Sequence, residues 1–396
     1  MTENLKILVV APEVPARDRS SGELRLYTIL KILSARYHIV FVALNPRGDQ
    51  RDGQYRPDLE ALGLEVYIRN YSFRKILSTH KFSAAFIEFY FTAEHCLSNI
   101  RILQPRCPII VDSVDIHYYR EWLKYKVTGV QKDLEKSIET KKRELIVYKR
   151  ADVVVAVTRE DADVVLREDP AIRFEIVPNI HPIVEGPKQS KSKNDLIFIG
   201  SFKHDPNTDA VKYFCQDVLP LVHKKHPAVK VRIAGANPPD ELKRLAGPYV
   251  EFLGFVPSVT PCLQESYISI APLRFGAGMK GKIGEAMAHG LPVVTTSIGI
   301  QGLDLKHGEN IMIGDTPGEF ADSILELITD EHLHARISGN GMNYIKANFT
   351  PETIRGEILR IFENIESRPV KKNSASEKLR FLTQYITQKY LKKEPA

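Results

Sequence analysis

The chain has 396 residues, 43% hydrophobic and 26% charged, which is too long for one ordinary core and points to two. No stretch approaches the roughly 18 uninterrupted apolar residues of a spanning helix, which argues against an integral membrane protein. The formal charge of +6 sits in residues 367–396, where Arg368, Lys371, Lys372, Lys378, Arg380, Lys389, Lys392 and Lys393 face only Glu377 and Glu394; the remainder balances, which excludes a nucleic-acid face spread over the domains.

Taken in order, the chain opens on an apolar run ending at Ala11. That run is at the short limit for a signal segment and meets Pro12, Glu13 and Pro15 at once, so it reads as a buried first strand. Strand patterns follow at 38–43, 64–68, 84–89, 109–112, 153–157 and 174–177, and most are apolar throughout, as burial on both faces requires. Helical patterns separate them, which predicts parallel βαβ construction. A second series begins at 196–199 and continues through 229–234, 250–255, 268–272, 292–296 and 310–313. The fold class is therefore α/β, with two Rossmann-like parallel sheets.

Residues 1–180 are expected to form the first domain and 181–194 an exposed hinge rich in Pro, Gly, Ser and Lys. Residues 195–348 would form the second domain, and 349–396 would carry helices returning toward the first, with the basic tail. Residues 119–150 read as one or two charge-laced helices outside the first sheet, either a solvated face or a contact for acceptor or membrane. The tail places Leu379, Leu382, Ile386 and Tyr390 on one helical stripe among basic residues. It would lie on anionic lipid or pack across the first domain.

Cys96, Cys107, Cys215 and Cys262 are far apart without paired spacing, which fits thiols in a reducing compartment and makes the cytoplasm the expected location, with a peripheral place on the membrane's inner face through the tail. Asp161-Ala-Asp163 spells a D-x-D, but it opens a helix, where first-turn acids need no metal. No metal and no cofactor are expected.

The stretch 272–297, PLRFGAGMKGKIGEAMAHGLPVVTTS, runs from a strand end through a loop with Gly276, Gly278 and Gly281 into a helix. Glycines let backbone amides approach an anion, and a helix N-terminus adds partial positive charge. Lys280 and Lys282 bring two full charges, enough to offset a diphosphate without a divalent ion. Glu285, one turn into the helix, is placed either to accept hydrogen bonds from neighbouring ribose hydroxyls or simply to meet the helix dipole.

The pattern G-x-K-x-K-x-x-E-A-M-A-x-G-x-P-V-V-T-T, with two sheets, resembles the family 4 retaining glycosyltransferases over residues 4–365. That resemblance implies a GT-B fold, donor held mainly by the second domain and acceptor by the first. Lys280 and Lys282 would then bind the diphosphate of a nucleotide-sugar donor, and Glu285 its ribose. The family commonly shows a Glu-x7-Glu pair, and the first Glu is replaced here by Ala277, so the amides of Gly276, Ala277, Gly278 and Met279 would serve the sugar. Lys280 and Lys282 would also stabilise charge on the leaving diphosphate, with retention of configuration and a glycan or lipid-linked acceptor. Synthesis of cell-surface polysaccharide or glycolipid is the implied setting.

Other strand ends supply further candidates, because open α/β sheets bind ligands there. Gly22 resembles the family's glycine between first strand and first helix, or is a turn residue, and Arg25 follows it in that helix. Asp115 and His117, after the fifth strand, are placed for sugar contact or acceptor activation, each able to take a proton near neutral pH; otherwise Asp115 caps a helix and His117 packs locally. In 200–214, Lys203 matches a basic residue against the diphosphate, with Asn207 as a helix cap, and Gly235 resembles a glycine beneath the nucleotide. A nucleotide-sugar epimerase or hydrolase of the same fold, or a catalytically degenerate binding subunit, are the alternatives.

Overall fold

The computed structural model describes residues 5–45, 49–185, 192–367, 370–371, 378–379 and 381–383. Its first unit holds strands β1 (Lys6–Ala11), β2 (His38–Ala43), β3 (Glu65–Tyr67), β4 (Ala84–Glu88), β5 (Ile109–Asp112), β6 (Val153–Ala156) and β7 (Phe174–Ile176). They form one parallel sheet in the order β3-β2-β1-β4-β5-β6-β7. The second unit holds β8 (Asp195–Ile199), β9 (Lys230–Ala234), β10 (Val250–Gly254), β11 (Ile268–Ala271), β12 (Val293–Thr295) and β13 (Met312–Ile313). Their order is β10-β9-β8-β11-β12-β13, again all parallel.

Each strand falls on one of the expected runs, with β8 starting one residue earlier, at Asp195. The reason is visible in β1, where Ile7, Val9 and Ala11 enter one core and Leu8 and Val10 the other. A strand covered by helices on both faces has no solvent side, so its sequence is apolar at every position. The strand order reverses between β1 and β4 and between β8 and β11, and such switch points open a crevice at the carboxyl ends of the strands.

The segment expected to form one or two outer helices forms two, His117–Thr128 and Gln131–Arg150. Gly129, at φ +67°, ends the first in the left-handed region that glycine adopts without Cβ strain. The final long helix, Pro351–Ser367, carries Ile354, Ile358, Ile361 and Phe362 into the core of the first sheet. Farther on, Phe381 is buried in the other core of that unit, with the Arg150 guanidinium 5.0 Å from its ring centroid. Leu379 and Leu382 are exposed, while Ile386 and Tyr390 of the expected stripe lie outside the described residues. The described part of the tail thus packs on the first unit.

The chain crosses between units at 177–181 and again at 349–351. The start of the first crossing departs from the expected exposed hinge: His181 is buried, and its amide donates to the carbonyl of Phe349 at 2.7 Å. Residues 186–191 of that segment are outside the described residues.

Candidate functional site

Between the units lies a cavity of about 390 Å³, within the range of small-molecule sites. The first unit contributes Arg19, Ser20 and Ser21 after β1; the second contributes Gly200, His204 and Asn207 after β8, Thr260, and Gly281, Lys282 and Glu285. Two helices, Ser21–Ser34 and Gly281–Ala288, meet there N-terminus to N-terminus. Ser20 caps the first through its hydroxyl, which accepts from the Glu23 amide at 3.3 Å, whereas Lys280 provides no side-chain cap for the second. Uncapped first-turn amides and the dipole together favour an anion.

Lys282 and Glu285 line this cavity. The Lys282 ammonium donates to Oδ1 of Asn207 and lies 4.3 Å from the Phe198 ring centroid. Burial, and then the charge of Lys280, lower its pKa to about 7. Burial likewise pushes the Glu285 carboxyl up to about 7. Both groups are therefore poised to change charge when an anion or a ribose enters.

Lys280 has a different place. Its Nζ donates to the carbonyls of Gly276 at 3.3 Å and Gly278 at 2.6 Å and to Oε1 of Gln301 at 3.3 Å. Burial lowers its pKa to about 8 against the pull of Asp161. The lysine thus holds the glycine loop together from inside, and none of residues 276–280 lines the cavity. Gly276 (φ +147°) and Gly278 (φ +70°) adopt the backbone that this wrapping demands. The expectation that the amides of 276–279 stand free for a sugar is corrected at Gly278, whose N–H donates to Oδ1 of Asp161 at 3.2 Å. Ala277 is half-buried and Met279 buried; the Met279 carbonyl accepts from Asn179 at 2.9 Å.

Asp161 therefore does structural work, as the D-x-D reading expected: it also shares a capping pair with Thr158 at the start of its own helix. Burial pushes its carboxyl up to about 6. Among the described residues, no group of three His, Cys, Asp or Glu could hold a metal ion.

Asp115 reaches the glycine loop, since a Cβ on Gly278 would lie 3.2 Å from its Cβ. A γ-turn aims it there: the Asp115 amide donates to the Ser113 carbonyl at 2.7 Å, and Val114 between them sits at φ +60°. That conformation is strained for a β-branched residue, and such strain clusters at functional sites. The Asp115 carboxylate pairs with Arg120 and, at 2.9 Å, with Nδ1 of His117. Burial opposes its charge, but Arg120 and His117 overcome that and hold it well below the usual carboxylate range. Burial also opposes charge on His117, yet Asp115 and Glu144 push its pKa up to about 9. The two groups thus form an ion pair, an arrangement that weighs against the acid-base expectation. Nor does Asp115 cap the helix that follows: Glu144 does, accepting from the amides of His117 at 3.1 Å and Tyr118 at 2.9 Å.

Three further expectations are corrected. Arg25 is 0% exposed; its guanidinium binds both oxygens of Asp112, at 2.5 and 3.1 Å, and the carbonyls of Val177 and Pro178. It fastens the first crossing to the first sheet and cannot touch a donor. Lys203 is exposed and outside the cavity lining, where His204 and Asn207 stand instead. Asn207 lies inside its helix rather than at the cap, accepting from Lys282 and donating to the Ser201 carbonyl at 2.7 Å.

The glycines divide. Gly22 is the second residue of its helix, and a Cβ there would meet Val114 at an ordinary 3.8 Å, so no turn requires it. Gly235 is obligatory, because a Cβ would lie 2.1 Å from the Gly200 carbonyl oxygen. His181, missed in the sequence, lines the cavity with Nε2 buried and unpartnered. Burial, and then the nearby His289, lower its pKa to about 4, so it is neutral.

Residues 193–330 match the sequence family described as glycosyl transferases group 1. An uncharacterized 44.6 kDa protein in the cps region of Klebsiella pneumoniae is 26% identical over 255 residues, 62% of this chain and 61% of that protein. The phosphatidyl-myo-inositol mannosyltransferase of Mycobacterium tuberculosis is 25% identical over 201 residues, 48% of this chain and 51% of its own length. The match thus spans between half and two thirds of these relatives. The crystal structure of Anabaena HepE with UDP and glucose superposes with a TM-score of 0.67 at 17% identity, covering 91% of this chain and all of that one. At that identity the likeness establishes the fold, which is GT-B.

Proposed function

We propose that this chain is a glycosyltransferase that moves a sugar from a nucleotide-diphosphate-sugar donor to a glycan or lipid-linked acceptor, with retention of configuration and without a divalent metal. The observation that carries the reading is the placement of Lys282 and Glu285 in the cavity where two helix N-termini meet. Helix amides and Lys282 would hold the diphosphate, and Glu285 the ribose hydroxyls. These same groups stabilise negative charge growing on the leaving diphosphate, so they act more strongly in the transition state than in the ground state. Lys280 would act through the loop it braces.

Asp115 and His117 sit beside that loop as a preformed ion pair, a fixed field against which a developing oxocarbenium ion and an incoming hydroxyl would be oriented. Domain closure over the cavity would exclude water and favour transfer over hydrolysis. The match of residues 193–330 to glycosyl transferases group 1 supports the reaction class. A setting in cell-surface polysaccharide or glycolipid synthesis draws support from the cps-region relative and the mannosyltransferase.

Calorimetric titration with uridine and guanosine diphosphates tests the donor site. Wild type is expected to bind one of them with EDTA present, and Lys282→Gln to bind it weakly. Product from the matching donor sugar, assigned by NMR, is expected to keep the donor's anomeric configuration. Rapid hydrolysis or epimerisation of donor without acceptor would replace this reading with one of its rivals.

A further inference from the structure

The hairpin between the helices His117–Thr128 and Gln131–Arg150 ends in an apolar tip. Trp122 is 39% exposed, Val127 40% and Val130 50%, and every residue from 126 to 132 is exposed. The Tyr119 and Trp122 rings stack at 5.6 Å and 14°, and the Lys126 ammonium lies 5.8 Å from the Trp122 ring centroid. Residues 122–132 contain Lys124, Lys126 and Lys132 and no carboxylate. A short exposed segment that concentrates large apolar side chains marks an interaction surface.

The chemistry of this surface selects its partner. Tryptophan and lysine, each an apolar body with a polar end, favour the headgroup level of a bilayer, and aliphatic side chains beside them enter the acyl boundary. Lys126 and Lys132 favour anionic lipid, whereas Lys124 is paired with Asp133 at 3.3 Å and with Asp205. The tip also stands at the cleft: Lys124, two residues past Trp122, donates to Asp205 of the second unit at 2.6 Å, and Arg120 pairs with Asp115.

We propose that the 122–132 tip docks on an anionic lipid bilayer and seats the mouth of the cleft at the lipid surface. The tip, rather than the basic tail, is then the principal lipid contact. This inference does not depend on the transfer reaction, because its test reads lipid binding alone.

Trp122 is the one tryptophan in the sequence, so its emission reports on the tip in the full chain. Vesicles of phosphatidylcholine with phosphatidylglycerol are expected to shift that emission to the blue, and acyl-brominated lipids to quench it. Vesicles of phosphatidylcholine alone are expected to do neither. Val127→Glu/Val130→Glu, with an unchanged thermal melt, is expected to weaken vesicle co-sedimentation by about tenfold or more. Lys389→Gln/Lys392→Gln/Lys393→Gln, which neutralises tail charge, is expected to bind nearly as well as wild type. The proposal is overturned by unchanged emission, by equal response to neutral vesicles, or by loss of binding only in the tail variant. A concentration-dependent emission shift without lipid, with a dimer in sedimentation, would also overturn it and assign the tip to a second copy of the chain.

Discussion

A Cβ added to Gly281 would lie 2.0 Å from Oγ and 2.3 Å from Cβ of Ser21, in the facing unit. Gly281 and Ser21 are the first residues of the two helices that meet at the cavity, so the absent side chain sets how closely those helices approach. Gly281→Ala is expected to hold the units apart and lower kcat/KM by about tenfold or more, since sub-ångström misplacement of positioning groups costs rates of that order. Ser21→Gly removes both clashing atoms, and Gly281→Ala/Ser21→Gly is expected to regain most of the loss. Steady-state kinetics of the three variants checks this; equal defects in the single and double variants would refute the contact's role.

Lys282 carries the clearest pH signature. With a pKa lowered to about 7 by burial and Lys280, it is partly neutral in the free protein at neutral pH, and a bound diphosphate would draw a proton onto it. Calorimetry in buffers of different ionisation enthalpy is expected to detect proton uptake at pH 7.5 to 8, and affinity is expected to fall as pH rises further. Lys282→Gln is expected to weaken nucleotide binding about 10- to 100-fold, the scale of one charge-assisted hydrogen bond, and to abolish that uptake.

His117 is expected to titrate in the NMR spectrum at about 9 rather than near the ordinary histidine value. Its folded pKa is raised, so its contribution to stability is complete below the unfolded value and is lost as pH rises through about 9. Asp115→Asn removes the nearer of its two carboxylate partners and is expected to return the titration toward neutrality. A His117 that titrates near neutrality in wild type would revive it as a proton acceptor.

Asp112→Ala would strand the Arg25 guanidinium, whose side chain is 1% exposed against 0% for Asp112. Breaking one half of a buried pair costs about 3 to 5 kcal/mol, and urea unfolding should show a loss on that scale. Glu88, opposite Asp112 in the β4–β5 register, is held well above the ordinary range by burial and by Asp112. Its ionisation on loss of Asp112 would recover part of the cost, so Asp112→Ala/Glu88→Gln is expected to be less stable than Asp112→Ala.

The sheets were legible because two-sided burial leaves continuous apolar runs, and the glycine-lysine stretch because its composition has few other uses. The division of labour inside that stretch was not. Lys280 and Lys282 look alike in sequence, yet one turns into its own loop and the other faces the cavity. Arg25 and Lys203 had positions that suited a ligand, and only tertiary partners show that Asp112 has taken the first and solvent the second. Asp161 and Asn179 act on a loop about a hundred residues away, and His181 packs against Gly284 in the helix that follows it, relations with no local signal. The serines ahead of Gly22 were the readable sign of a helix N-terminus there.

The two crossings bound where the molecule can bend. Arg25 ties the carbonyls of Val177 and Pro178 to the first sheet, Asn179 ties the next residue to the glycine loop, and His181 joins Phe349 of the return crossing. Any relative swing of the halves must therefore pivot on this short double span, close beside Met279. A pivot so near the loop gives it a short lever arm. Opening would then part the two helix N-termini that wall the cavity while leaving the glycine loop almost stationary.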